Sequence, residues 1–280
     1  MIDLHIHTTA TPHHATWTPD ALAATAVARG LTVIAATDHN TTAGVAPLMA
    51  AGQRHGVRVI PGVELDSADG GKLWHTLVYG VDPEAPALVA LCAAVFERNL
   101  ADAERLRREL PAEGFRLEGL EELGRAPNVA EVATALARGN SLPGRVAGED
   151  DEAAGMRFLL QERPGSYQPL RVAEIIDVAH TLRGLVVLAH PGRSKGVYAI
   201  PADEADIAAL VEAGLDGLEV YYPTHTPAQE QFYRTLAAKY GLLVSGGSDS
   251  HHPSQALAAL DPALVTLLEG NGLAGGSTCP

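Results

Sequence analysis

Almost every short apolar run in this chain stops at a histidine or a carboxylate. "DLHIHT" carries His5 and His7, and "LTVIAATDH" (Leu31 to His39) ends in Asp38 and His39. "VRVIPGVEL" (Val57 to Leu65) carries Glu64 and "LWHT" carries His75. "GLVVLAHPGR" reaches His190, "GLEVYYPTH" holds Glu219 and His225, and "LLVSGGSDSHH" reaches Asp249 and His251. Helical patterns lie between the runs. Thr18 can cap a helix with Pro19 at its first position and Gly30 just past its end, and "ADIAALVEAG" (Ala205 to Gly214) reads as another helix. Strands alternating with helices predict a parallel sheet, and near-continuous apolar strands predict that both its faces are covered. In such a sheet, groups at the C-terminal strand ends converge on one cavity, however far apart they lie in sequence. Histidines scattered by chance would not keep to strand ends.

The alternation breaks between residues 83 and 183. Residues 97–125 hold 14 charged side chains in 29 positions, spaced as on solvated helices. The expected organisation is therefore an α/β domain of the barrel or open-sheet kind from residues 1–82 and 184–270, with an inserted, mainly helical subdomain at 83–183. Residues 271–280, small and polar, are expected to be a frayed tail. Pro61-Gly62 marks a bulge or bend, and "LWHTLVYG" a companion strand.

Composition narrows the function. A net charge of −14 with only three lysines, Lys72, Lys195 and Lys239, argues against a surface for duplex nucleic acid. No 18-residue apolar run and no basic-then-apolar leader is present, so neither a membrane span nor a signal peptide is expected, and the cytoplasm is the expected compartment. Cys92 and Cys279 read as free thiols.

Histidine is abundant, with twelve copies. In a strand, residues i and i+2 share a face, so His5 and His7 project together and can grip one ion. Polar edge histidines are the bland reading of that pair alone. At least eight candidate ligands converge, more than the four that one structural zinc takes, which points to two or three ions. Mixed imidazole and carboxylate ligation without thiolate suits divalent Zn, Mn or Fe and hydrolytic chemistry. Glu64, with two oxygens to share, is the natural bridge.

In order along residues 3–252, "DLHIHT", "ATDHN", "GVEL", "WHTLVYG", "AHPGR", "GLEVYYPTH" and "GGSDSHH" resemble the polymerase and histidinol phosphatase (PHP) family of metal-dependent phosphoesterases. "APNVAEVATALARG" and "QERPGSYQPL" look like the insertion of members acting on nucleotides and short RNA ends. The resemblance implies a distorted barrel of seven parallel strands, a (β/α)7 relative of the TIM barrel, and a trinuclear site. One ion would take His5, His7, Glu64 and Asp249, and a second Glu64, His75 and His190. A third would take His39, His251 and a first-loop ligand. Many relatives read Ser-Asp-Gly in that loop; this chain reads "TPHHATWTP", leaving His13 or His14. Asp3 and Asp38 would accept the spare N–H of ligand imidazoles, with helix capping the alternative for Asp38. Arg193 would bind a substrate phosphate, or be a surface arginine. His225 would protonate a leaving oxygen or bind phosphate, or be an ordinary loop histidine. Glu219 would lie near the site, His252 would be the spare of its pair, and His55 and His180 would be solvated or core residues. Relatives with the RNA-end insertion often carry an Arg-Pro-His-like stretch; here "RAPNVA" displaces Arg125 and puts Asn128 where a histidine might stand.

The expected activity is hydrolysis of a phosphate ester by metal-activated hydroxide. The substrate would be a nucleotide, a small phosphorylated metabolite or a short RNA or DNA end. Within the family, histidinol-phosphate phosphatase and cyclic-phosphate hydrolase are the alternatives. Carbon–nitrogen hydrolysis is the rival chemistry, and a metal-binding regulatory module without turnover the rival of another class. The sequence leaves the oligomeric state open.

Overall fold

The computed structural model describes residues 1–11, 14–193, 201–270 and 273. His13 and the expected tail, apart from Leu273, lie outside them. The described residues divide into two compact units: Ala94–Leu170 forms one, and Met1–Ala93 with the described residues from Arg171 onward forms the other.

The larger unit is built on one sheet. Its strands are β1 (Ile2–Asp3), β2 (Val33–Ala36), β3 (Arg58–Asp69), β4 (Lys72–Tyr79), β6 (Leu185–Leu188), β7 (Gly217–Tyr221) and β8 (Leu243–Gly246), neighbours in that order. The two-residue β5 (Leu170–Arg171) lies off this path. β1, β2 and β3 are parallel, as are β6, β7 and β8. β4 runs antiparallel to both β3 and β6. This corrects the all-parallel expectation. The two residues Gly70 and Gly71 between β3 and β4 both have positive φ (56° and 76°), so they close a hairpin, and a hairpin reverses direction. The sheet is not closed into a barrel. β1 and β8 are its ends; past them Leu4 N–H meets the Gly246 carbonyl at 3.2 Å, Asp249 N–H the His5 carbonyl at 2.8 Å and His7 N–H the Ser250 carbonyl at 3.0 Å, but the two strands do not pair as a ladder.

Pro61-Gly62 sits inside β3, where the strand changes partner. Pro61 registers with Ala36 of β2, and Gly62 with Tyr79 of β4. A Cβ on Gly62 would stand 3.0 Å from the Val78 carbonyl and 3.1 Å from that of Ala36, so the two flanking backbones leave room only for hydrogen.

Alternation along the strands sends successive side chains into different core clusters. Ile34 and Ala36 face α1 (Pro19–Ala28) and α2 (Val45–His55), packing with Leu22, Ala26, Leu48 and Trp17. Ala35 faces the other way, with Ile2, Leu4, Ile60, Leu77, Tyr79 and Val187. α1 has Thr18 as its N-cap and Pro19 in its first turn. α3 (Pro86–Ala112), α6 (Val172–Thr181), α7 (Glu204–Glu212) and α8 (Pro227–Tyr240) follow the alternation.

In the smaller unit, α4 (Val129–Gly139) packs on α5 (Asp151–Gln161). Asn128 accepts from Glu131 N at 2.8 Å while the Glu131 carboxylate accepts from Asn128 N at 2.9 Å, a capping box. Arg125 donates to the same Glu131 at 2.9 Å. "RAPNVA" thus starts a helix. Among the described residues no helix is long and apolar enough to cross a membrane.

Candidate metal centre

The strand ends of the larger unit gather their polar side chains around one carboxylate. Glu64 is fully buried in mid-β3. Its Oε2 lies 3.3 Å from His5 Nε2, 3.3 Å from His7 Nε2 and 3.0 Å from His39 Nδ1. Its Oε1 lies 2.9 Å from His75 Nδ1 and 3.2 Å from His190 Nε2. Asp249 joins from beyond β8, with Oδ1 at 3.0 Å from His7 Nε2 and 3.5 Å from His5 Nε2. The His251 ring stacks on His7 with centroids 4.0 Å apart, and His39 stacks on His7 at 4.3 Å.

Three overlapping sets have ligand atoms mutually within 4.8 Å: His5, His7, Glu64 and Asp249; His39, Glu64 and His75; His7, His39 and His251. His190 stands beside them, 3.2 Å from His75 Nδ1 as well as from Glu64. His14 is exposed on a turn and belongs to none of these sets.

Local backbone strain aims several of these groups. Asn40, His190 and Asp249 have φ of 54°, 29° and 54°, the left-handed region that residues other than glycine rarely enter. Each sits just past a strand end, where the chain must turn sharply while its side chain, or its neighbour's, stays over the sheet.

Burial would push the Glu64 and Asp249 carboxyls up, but the surrounding imidazoles outweigh it and hold both well below the usual carboxylate range. Burial opposes the charge on His75, yet Glu64 and Asp66 push it up to about 9. His5 is likewise held well above the ordinary imidazole value, because the charges of Glu219, Glu64 and Asp249 exceed the desolvation cost. His7, His190 and His251 are lowered, chiefly by burial.

Four buried atoms here make no hydrogen bond: His5 Nε2, His7 Nδ1, His39 Nδ1 and Glu64 Oε2. Orphaned buried polar atoms are costly. These are lone-pair donors of the kind that ligate divalent transition metals, and bound cations would satisfy them. The donor set therefore fits the metal ions that the resemblance implies.

The supporting contacts differ from expectation. Asp3 accepts backbone amides from His5 (3.3 Å), Ser248 (2.9 Å) and Ala258 (2.8 Å), and meets the Ser248 side chain. Asp38 accepts from Thr8 N at 2.6 Å, Thr8 Oγ1 at 2.8 Å and Thr11 Oγ1 at 2.7 Å. Neither touches an imidazole; both hold loops, because their short side chains point at amides and hydroxyls of the first loop and the β8 end. Imidazoles are held by longer or differently placed acids. Glu219 Oε1 is 2.9 Å from His5 Nδ1, and its Oε2 accepts from His190 N at 2.7 Å. Asp66 Oδ1 is 3.4 Å from His75 Nε2. The sequence reading passed over Asp66, although it lies two positions after Glu64 on the same strand face. It also passed over Tyr222, whose hydroxyl donates to Asp249 Oδ2 at 2.9 Å.

His225, expected as a proton donor or phosphate ligand or as an ordinary loop histidine, is engaged by backbone. Its Nδ1 faces the Val220 carbonyl at 2.8 Å and its Nε2 accepts from Gly192 N at 3.0 Å, so both ring nitrogens are occupied by backbone. Arg193 is partly exposed, with NH1 4.0 Å from Asp249 Oδ2. His55 and His180 pair instead with Asp20 at 3.0 Å and Asp216 at 2.9 Å, outside the cluster.

Residues 3–156 match the PHP domain family model. The chain is 33% identical over 259 residues to a phosphoribosyl 1,2-cyclic phosphate 1,2-diphosphodiesterase of Eggerthella lenta, spanning 89% of this chain and 93% of that protein. It is 30% identical over 259 residues to a 3′,5′-nucleoside bisphosphate phosphatase of Chromobacterium violaceum, spanning 91% and 88%. A solved structure of an amidohydrolase from Chromobacterium violaceum, with bound sulfate and no metal, superposes with a TM-score of 0.65 at 28% identity, covering 93% of this chain and 92% of the other.

Proposed function

Because the chain belongs to the PHP domain family, we propose that it is a metal-dependent phosphoesterase acting on a nucleotide or sugar that carries a cyclic phosphate or two phosphates. The observation that carries this reading is the single buried Glu64 carboxylate ringed by five imidazole nitrogens within 3.3 Å, four of the cluster's ligand atoms lacking a hydrogen bond.

Two or three divalent Mn, Zn or Fe ions would be held here. His5, His7, Glu64 and Asp249 would hold one, and His39 or His190 with Glu64 and His75 a second. His7, His39 and His251 would hold a third if it is present. When bound, such ions supply Lewis acidity to a phosphoryl oxygen and lower the pKa of water, which gives a nucleophile near neutral pH.

The chain's own residues do the rest. Glu64 offers one oxygen to each side and so ties the ligand sets together. Glu219 and Asp66 accept the outer N–H groups of His5 and His75, which leaves His5 Nε2 and His75 Nδ1 unprotonated toward the centre. Tyr222 orients Asp249. The Arg193 guanidinium, at the rim beside Asp249, binds non-bridging oxygens of a substrate phosphate with its fixed fork of donors. The buried walls exclude water, which strengthens each of these interactions.

The test is steady-state hydrolysis by the Mn-loaded protein of a nucleoside 3′,5′-bisphosphate, a ribose cyclic phosphate, nucleoside monophosphates, histidinol phosphate, a short RNA and an amide. Turnover of the bisphosphate or the cyclic phosphate, abolished in His190→Asn, is expected. No phosphate release from any ester, with metal content confirmed by elemental analysis, would refute the reading. Turnover of the amide alone would favour the carbon–nitrogen rival.

A further inference from the structure

The turn that carries His190 and Arg193 is held from behind. Gly192 N–H donates to His225 Nε2 at 3.0 Å, and the Gly192 carbonyl accepts from Gln229 Nε2 at 2.7 Å. The Pro191 carbonyl accepts from Tyr233 Oη at 2.9 Å and from Ala202 N at 2.8 Å. Gln229 and Tyr233 are one turn apart on α8, and His225 lies just before its Thr226 cap. A Cβ on Gly192 would meet Tyr233 Cε2 at 2.8 Å, Gln229 Nε2 at 2.9 Å and His225 Cδ2 at 2.9 Å, so the turn presses directly on all three side chains.

The protonation state of His225 follows from its partners. A backbone amide only donates, so Nε2 must present its lone pair to Gly192 N–H. A carbonyl only accepts, so Nδ1 must carry the hydrogen toward Val220 O. His225 is also buried, 7% exposed, with no ring nitrogen left for a substrate. The turn it clamps is the strained one: His190 sits at φ 29°.

We infer that His225 is a positioning residue for Arg193: as a neutral imidazole it fixes the Pro191-Gly192 turn, and thereby the direction in which the guanidinium meets a substrate phosphate. The inference rests on the functional reading only through the phosphate-binding role of Arg193. Gln229 and Tyr233 complete the clamp from α8.

The experiment compares wild type, His225→Phe, His225→Gln, Arg193→Ala and the His225→Phe/Arg193→Ala double variant, all Mn-loaded, by two readouts. The first is calorimetric binding of inorganic phosphate, which needs no turnover. The second is kcat/KM on p-nitrophenyl phosphate, a good leaving group, and on a nucleoside 3′,5′-bisphosphate, a poor one. Displacing a positioned group by about 1 Å costs on the order of 100-fold, so His225→Phe should lose about 10–100-fold. The loss should be equal on both esters and absent in the Arg193→Ala background. His225→Gln, whose Oε1 reaches the place of Nε2, should recover most of it. A general acid would behave otherwise: its loss would vanish on p-nitrophenyl phosphate and would add to that of Arg193→Ala. Either result, or phosphate binding unchanged in His225→Phe, overturns the inference. Should His225→Phe not fold, Tyr233→Phe takes its place, since it removes only the hydroxyl that reaches the Pro191 and Ala202 carbonyls. It should show the same equal, non-additive loss, and full activity there overturns the inference. Absence of turnover by wild type counts against the functional reading, while the phosphate-binding cycle still decides this one.

Discussion

Replacing Glu219 by Gln tests whether the acids behind the imidazoles set metal affinity. Glu219 is fully buried on β7, and each of its oxygens accepts from one donor: His5 Nδ1–H at 2.9 Å and His190 N–H at 2.7 Å. Glutamine fills the same space but has one acceptor oxygen and one NH2 group. If the oxygen keeps the His190 amide, the NH2 faces Nδ1–H; if it keeps His5, the NH2 faces the His190 amide. One donor–donor contact is unavoidable, and one charge-assisted bond is lost with it. A buried bond to a charged group contributes about 1.5–3 kcal/mol. His5 escapes the clash by moving its proton to Nε2, the atom aimed at Glu64 and Asp249, which removes it as a ligand. Because each ~1.4 kcal/mol is tenfold, the expected cost is about 10–100-fold in the dissociation constant of the ion held by His5. The assay is competition for Mn between the protein and a chromophoric chelator, with a thermal melt of the metal-free variant alongside. Unchanged metal affinity, with the variant folded, would refute the claim that Glu219 fixes the His5 tautomer.

Loading with metal near neutral pH should release protons, because metal-free His75 stays charged up to about 9 and His5 is held well above the ordinary value. Calorimetry in buffers of different ionisation enthalpy reads this directly, and identical heats would contradict it. The sign for stability follows: unfolded His75 titrates near ~6.5, so in metal-free protein its contribution is complete below that pH and is lost as pH rises through about 9, read as a falling Tm. Gly44→Ala should destabilise by about 1–3 kcal/mol in urea, since a Cβ there would lie 1.9 Å from Asp38 Oδ2 and 2.5 Å from Thr8 Oγ1 and would push apart the network that holds the first loop; an unaltered midpoint would contradict that packing. In Cys279→Ser protein, burial pushes the Cys92 thiol up to about 12 against ~8.5 when unfolded, so iodoacetamide at pH 8.5 should label it only after denaturant is added.

The sequence by itself determined the chemistry of the cavity. His5, His7, His39, Glu64, His75, His190, Asp249 and His251 come together because the parallel strands deliver their C-terminal ends to one side of the sheet, where the antiparallel β4 supplies His75 from its first half. Period-two spacing was enough to place His5 beside His7, and cap chemistry was enough to start α1 at Pro19. Tertiary structure alone decided which group supports which. Asp3, Asp38, Glu219 and Asp66 are equally plausible partners for an imidazole in sequence, yet only Glu219 and Asp66 reach one, because a hydrogen bond depends on tenths of an ångström between strands distant in the chain. The same is true of His225, whose ring looked available until Gly192 and the Val220 carbonyl took both nitrogens. Strand direction was hidden for a related reason. Hydrophobic pattern reports which faces are buried, not which way a buried strand runs, so the antiparallel β4 and the unclosed sheet came only from the backbone pairing itself.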